Sequence, residues 1–141
     1  MKLDIYVNYP GHCEEAFRFY EKRLAGKITG IVRHKEMMNP ELPGDWGEKI
    51  VHARIEIGNT VLMGADIPGA EPMRSAYLTL RVDSNEEAER IYGILTDGGQ
   101  VFMKMEETPF AARFAMLRDR FGTSWMLLHE RADAPSSTSS G

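Results

Sequence analysis

Glu14-Glu15-Ala16-Phe17-Arg18-Phe19-Tyr20 returns 72 residues later as Glu86-Glu87-Ala88-Glu89-Arg90-Ile91-Tyr92, with five of seven positions identical. Each copy opens an amphipathic helix. Ala16, Phe19, Tyr20 and Arg23 fall at i, i+3, i+4 and i+7, as do Ala88, Ile91, Tyr92 and Leu95. Arg23 is the polar member of the first stripe, and Leu24 beside it completes the apolar face. Glycines follow, Gly26 after the first copy and Gly98-Gly99 after the second, as a helix C′ position prefers. The spacing predicts helices over residues 14–24 and 85–96.

The repeat extends outward. A β-prone run precedes each helix, at residues 3–9 and 76–82. Three more follow each: 27–35, 50–57 and 60–66 in the first half, 101–105, 112–118 and 124–130 in the second. Gly58-Asn59 joins two of them as a tight hairpin turn. The closing strands align Thr60-Val61-Leu62-Met63 with Thr123-Ser124-Trp125-Met126, now at an offset of 63. The difference, 72 − 63 = 9 residues, is taken up by a longer first-half loop, 37–47, which holds Asn39-Pro40 and Pro43-Gly44. The expected fold is α+β: two βαβββ modules, about 1–67 and 74–131, forming one domain (1–131) as a curved eight-stranded cup. A single α+β sandwich with a chance repeat is the alternative.

Composition narrows the function classes. A length of 141 residues fits one ordinary domain, and 43% hydrophobic residues suffice for a core. Net charge is −4 with both signs scattered, so no basic stripe suggests nucleic acid as a partner. No apolar run approaches the roughly 20 residues that cross a bilayer, and the chain opens on a strand-like run instead of an apolar signal segment. Cys13 is the single cysteine, which excludes an internal disulfide and accords with a reducing cytoplasm. The small, polar, Pro/Ser-rich stretch 132–141 reads as a disordered tail.

The stretch from Tyr9 to Tyr20 (YPGHCEEAFRFY) resembles the opening of the vicinal oxygen chelate superfamily of glyoxalases, bleomycin-resistance proteins and dioxygenases. His52-Ala53-Arg54-Ile55-Glu56-Ile57-Gly58 and Asp119-Arg120-Phe121-Gly122-Thr123-Ser124-Trp125-Met126 are similar to the PhnB-like branch. That branch has at times carried a ubiquinone methyltransferase label, but no glycine-rich strand-to-helix turn of the dinucleotide-binding type occurs here. The resemblance implies four cup-facing positions that hold a divalent ion in metal-dependent members: Ile5, Tyr77, Met63 and Met126. Ile5 is set by the Phe19-Tyr20 register, and Tyr77 follows from it through the repeat offset. Zinc, iron, manganese and nickel favour imidazole or carboxylate donors, so these four residues predict a cup without metal or cofactor.

The remaining candidates come from the residues themselves. His52, Arg54 and Glu56 alternate with Ala53, Ile55 and Ile57, which puts them on one strand face. They are candidates for general acid/base, anion holder and base or orienter; a strand face turned to solvent explains the same alternation. Tyr77 joins His52 and Glu56 as a candidate catalytic group. Arg113 is a candidate for holding a carboxylate or phosphate at the cup mouth. Trp46 in its Pro/Gly-rich loop is a candidate lid or subunit-interface residue. Cys13 at a helix start is either a thiol with a lowered pKa or a small buried residue. His34 is placed at the rim and His129 at the surface. Two functions remain open. One is binding or sequestration of a small, partly apolar molecule at Ile5, Trp46, Arg54, Met63, Tyr77, Arg113 and Met126. The other is a metal-free isomerase or lyase using His52, Glu56 or Tyr77, with a metal-dependent glyoxalase or dioxygenase-type enzyme as the remaining alternative. A homodimer is expected from the resemblance and from the open sheet edges, with Trp46 and Phe110 as interface aromatics.

Overall fold

The computed structural model of the chain describes residues 1–37 and 44–132. It divides into two compact units, Met1–Pro72 and Met73–Gly141. Residues 133–141 of the expected tail and 38–43 of the long loop lie outside the described residues.

The first unit runs β1 (Ile5–Tyr9), α1 (Cys13–Arg23), β2 (Lys27–Arg33), β3 (Ile50–Ile57) and β4 (Thr60–Asp66), with short 3-10 turns at His34–Glu36 and Gly44–Glu48. The second runs β5 (Leu78–Arg81), α2 (Asn85–Thr96), β6 (Gln100–Thr108), β7 (Ala111–Arg118) and β8 (Ser124–Glu130). Each unit is one four-stranded mixed sheet, ordered β1-β4-β3-β2 and β5-β8-β7-β6, whose first and last strands pair in parallel. The expected α+β class and doubled βαβββ order are therefore what the chain adopts.

One face of each sheet is buried under its helix. In α1 the buried stripe is Cys13, Ala16, Phe17 and Tyr20, an i, i+3, i+4, i+7 set. It sits one step from the expected stripe, with Phe17 replacing the half-buried Phe19. Val7, Tyr9, Ala53, Ile55 and Leu62 complete this core. Burying each large side chain contributes roughly 1.5–3 kcal/mol. Gly64 is glycine because α1 lies against it: a Cβ there would come within 2.9 Å of Phe17 Cζ and 3.0 Å of the Val7 carbonyl oxygen. In the second unit Ala88, Ile91 and Leu95 of α2 are buried, as are Ala115, Leu117, Trp125 and Leu127 of the sheet.

The ends of α1 depart from the sequence pattern. The left-handed residue after the helix is Ala25 (φ +55°), not Gly26. Gly26 is needed for space, since its Cβ would meet Ile55 Cδ1 at 2.9 Å. At the other end, His12 makes no side-chain cap. The helix is capped from the far end of β4. Asp66, 1% exposed, accepts at Oδ1 from the Gly11 and Cys13 amides (3.1 and 2.8 Å) and at Oδ2 from the Ile50 amide (2.9 Å). By contrast α2 is capped locally. Ser84 Oγ accepts from the Glu87 amide (3.0 Å), and Glu87 Oε1 accepts from the amide of Asp83, the residue before the cap (3.1 Å).

Asp66→Ala leaves three amides without their acceptor in a buried place. It is expected to destabilise the protein by about 3 kcal/mol or more in denaturant unfolding. A loss under about 1 kcal/mol would show that water replaces the carboxylate there.

Candidate functional site

Strand alternation decides which side chains the helices leave uncovered. In β3, Ala53 and Ile55 are buried toward α1, so His52, Arg54 and Glu56 project from the opposite face, as the sequence pattern predicts. Arg54 stands opposite Met63 of β4 and Glu56 opposite Val61. In β1, Val7 and Tyr9 are the buried residues, and Ile5 shares their side. Tyr6 therefore lies opposite Met63 on the uncovered face, 47% exposed. The expected sharing of one surface by Ile5 and Met63 is corrected: Ile5 pairs with Leu62 on the α1 side, and Tyr6 takes its place. Asn8 carried the signal, since it marks the outward side of β1 and Tyr6 has its parity.

Tyr6 and His52 are the nearest polar pair on this face. Tyr6 Oη lies 3.5 Å from His52 Nδ1 and 3.4 Å from the Val51 carbonyl oxygen, with the two rings 5.8 Å apart. Burial, with a smaller contribution from the Cys13 charge, pushes the Tyr6 phenol above its ordinary pKa, so it stays protonated. Arg54 Nη1 lies 3.9 Å from Met63 Sδ.

The second unit has its own uncovered face. Leu78, Leu80 and Val82 fall on the α2 side; Thr79 projects opposite Met126, with Thr79 Oγ1 3.8 Å from Met126 Sδ. Tyr6/Met63 and Thr79/Met126 are thus the matching pairs, related by offsets of 73 and 63. The helix offset of 72 led to Tyr77, which precedes β5 and packs edge-on to Phe102 (6.4 Å). Arg113 is corrected as well. It stands toward α2, where its Nε meets Glu89 Oε1 at 3.5 Å and its Nη1 donates to the Ala112 carbonyl.

Of the other candidates, Trp46, His34 and Cys13 belong to the α1 side of the first unit and His129 to the second unit. Trp46 packs edge-on to His34 (6.1 Å) and reaches toward Gly11. His34 is buried, not at a rim, and its Nε2 donates to the Asp66 carbonyl oxygen (2.8 Å). His129 contacts Asn85 Oδ1 at the start of α2 (2.8 Å). Cys13 is fully buried. Burial first, then the Asp66 and Glu14 charges, hold its thiol far above the ordinary range, the opposite of an activated nucleophile. A pocket of about 580 Å³ near the start of α1 is lined by His12, Glu14, Arg33, Lys49 and Asp66 among others, a mixed-charge set. Sequence reasoning missed Tyr6 and Asp66, and also Asp119. Asp119 Oδ1 accepts from the Phe121 and Thr123 amides (2.9 and 3.0 Å), and its Oδ2 accepts from Trp125 Nε1 (2.9 Å).

A divalent ion at the superfamily position would need imidazole or carboxylate donors from the first and last strands of each unit. Each unit supplies there a neutral hydroxyl and a thioether, which does not fit zinc, nickel, iron or manganese. Among the described residues no three His, Cys, Asp or Glu side chains cluster closely enough to hold an ion.

The doubled βαβββ architecture is that of the glyoxalase/bleomycin resistance/dioxygenase superfamily. Its likeness to such a domain from Frankia sp. EAN1pec, at TM-score 0.66 and 15% identity over 93% of this chain and 98% of that one, is a likeness of fold. By sequence, the chain belongs to the PhnB-like family described as 3-demethylubiquinone-9 3-methyltransferase, which matches residues 1–128. It is similar to protein PA1353 from Pseudomonas aeruginosa, with 38% identity and TM-score 0.80 over 92% of this chain and 98% of that one. It also resembles protein YjdN from Escherichia coli strain K12, with 28% identity over 90% of this chain and 94% of YjdN. The family and these two relatives leave its specific activity unassigned.

Glu14 is bound by Arg33 through two contacts (2.8 and 3.1 Å), and this hydrogen bonding lowers its pKa below the ordinary 4.5. A carboxyl depressed by folding contributes stability that is present above the ordinary pKa and lost as pH falls through the folded value. Arg33→Gln is expected to lower stability at pH 7 and to flatten its fall below about pH 4.5, read by unfolding at a series of pH values. An unchanged acid limb would show that the pair contributes nothing.

Proposed function

We propose that the chain binds a small molecule on the face of its first sheet that α1 leaves uncovered, without a bound metal ion. The observation that carries this reading is the convergence of Tyr6, His52, Arg54, Glu56 and Met63 on one face by strand register. A few polar groups around an apolar, deformable side chain are what a ligand surface requires. The second unit offers Thr79 and Met126 on its own open face, with Tyr77 beside Phe102.

Methyl transfer, named in the family description, would need a methyl donor. The α1 N-terminus, a natural seat for an anionic cofactor group, is filled by the Asp66 carboxylate. The second reading is a metal-free isomerase or lyase. The Tyr6–His52 contact favours it, because a phenol beside an imidazole can pass a proton.

Native mass spectrometry of protein purified from its own host tests the first reading. A co-purifying small molecule is expected, and His52→Ala or Met63→Lys is expected to weaken its binding about tenfold or more. Full occupancy in both variants would move the site elsewhere. Turnover with a bell-shaped pH profile that His52→Ala abolishes would replace binding by catalysis.

A homodimer in a reducing cytoplasm is part of the proposal. Four edge strands, β1, β2, β5 and β6, leave backbone groups to be covered, and Phe110 is 49% exposed. Among the described residues no helix is long and apolar enough to cross a membrane. Light scattering is expected to give twice the chain mass of 15.9 kDa; the single-chain mass at micromolar concentration would reject the dimer.

A further inference from the structure

The uncovered face of the first sheet contains one transverse row of four register partners: Gly30 of β2, Arg54 of β3, Met63 of β4 and Tyr6 of β1. We propose that this row holds an oxyanion carried on an apolar or aromatic body, with Arg54 gripping the carboxylate, phosphonate or phosphate. The inference rests on the binding reading above and names its ligand class.

Arg54 differs from most arginines of this chain in what surrounds it. Arg18, Arg33, Arg81, Arg113, Arg120 and Arg131 each meet a carboxylate within 4.0 Å. Arg54 meets the sulfur of Met63, a weak acceptor, and among the described residues no carboxylate lies at ion-pair distance from it. Glu56, two residues along the same face, stands in register with Lys27. A guanidinium is planar, permanently charged and built to hold two oxygens at once. Among the described residues that fork has no such partner.

The neighbours of Arg54 leave room for one. A Cβ built at Gly30 meets nothing within 4 Å, so the β2 side of the guanidinium is open. On the other side the row continues over Met63 to the Tyr6 ring, two strand spacings or about 10 Å from β3. That distance suits an anion at Arg54 with a ring or short chain lying across the thioether toward the phenol. The matching row of the second unit is Met103, Met116, Met126 and Thr79, with no cation. The anion is therefore assigned to the first unit.

Titration of the full chain with benzoate, phenylphosphonate and the neutral benzamide, followed by amide chemical shifts, tests the assignment. At least one anion is expected to bind ten times or more tighter than benzamide and to shift residues of β1, β3 and β4. Arg54→Gln is expected to remove that advantage, bringing anion affinity down to that of benzamide for the same variant. Gly30→Leu, which fills the open space without touching the core, is expected to block the anion while thermal unfolding stays that of the parent. The preferred anion separates carboxylate from phosphonate chemistry. Failure of both anions to bind, equal affinity for benzamide and benzoate, or anion affinity within twofold of the parent in Arg54→Gln would each overturn the anion class. The binding reading would still stand on its co-purifying ligand. Binding unaffected by Gly30→Leu, with shifts outside the sheet, would overturn both.

Discussion

The Asp66 carboxylate ties three separate pieces of the first unit together: the start of α1, the start of β3 and the end of β4. A buried charge is costly unless hydrogen bonds to its oxygens replace water, and three backbone amides do so here. Its own carbonyl oxygen accepts from His34, which carries Trp46 on its ring. With the N-terminus of α1 pinned to the strand end, Phe17 must come down on Gly64, and the helix covers one chosen face of the sheet. The other face is left for a ligand. The polarity of that face follows from the placement of α1 as much as from the polar residues themselves.

The second unit solves the same problem differently. Position 129 corresponds to 66 by the strand offset, and 85 to 13 by the helix offset. The pair there is His129 with Asn85, while Ser84 and Glu87 cap the helix locally. The buried aspartate of this unit is Asp119, which closes the β7–β8 turn and holds the Trp125 indole. The open faces have diverged too. Where β3 presents His52, Arg54 and Glu56, β7 presents Phe114, Met116 and Arg118, and Arg118 meets neutral partners: the Met73 carbonyl, Gln100 and the Phe102 ring. Polar chemistry is concentrated in the first unit and thioether surface in the second. The outer-strand pairs Tyr6/Met63 and Thr79/Met126 agree with this division, because thioethers and neutral hydroxyls serve contact better than ion coordination.

The sequence by itself determined the architecture. The repeated Glu-Glu-Ala helix starts, the matching Thr-to-Met closing strands and the alternation along β3 are local periodicities. A period of two or of 3.6 sets which side chains share a face before any long-range contact forms. For the same reason His52, Arg54 and Glu56 were legible together, and α2, β3, β4 and β8 begin and end where the pattern places them. Tertiary structure decided what periodicity leaves free. The Phe19-Tyr20 register put the first position at Ile5, one residue from Tyr6, and a slip of one residue turns a strand side chain to the other face; adding the helix offset of 72 where the strands are offset by 73 then led to Tyr77, two residues before Thr79. Arg113 was visible as a charge, but its partner Glu89 lies on a helix 24 residues away. Asp66 was visible as the last residue of a strand, yet its partners are amides 16, 53 and 55 residues distant. Backbone amides carry no sequence signal, so only the folded chain shows which of them a buried carboxylate satisfies.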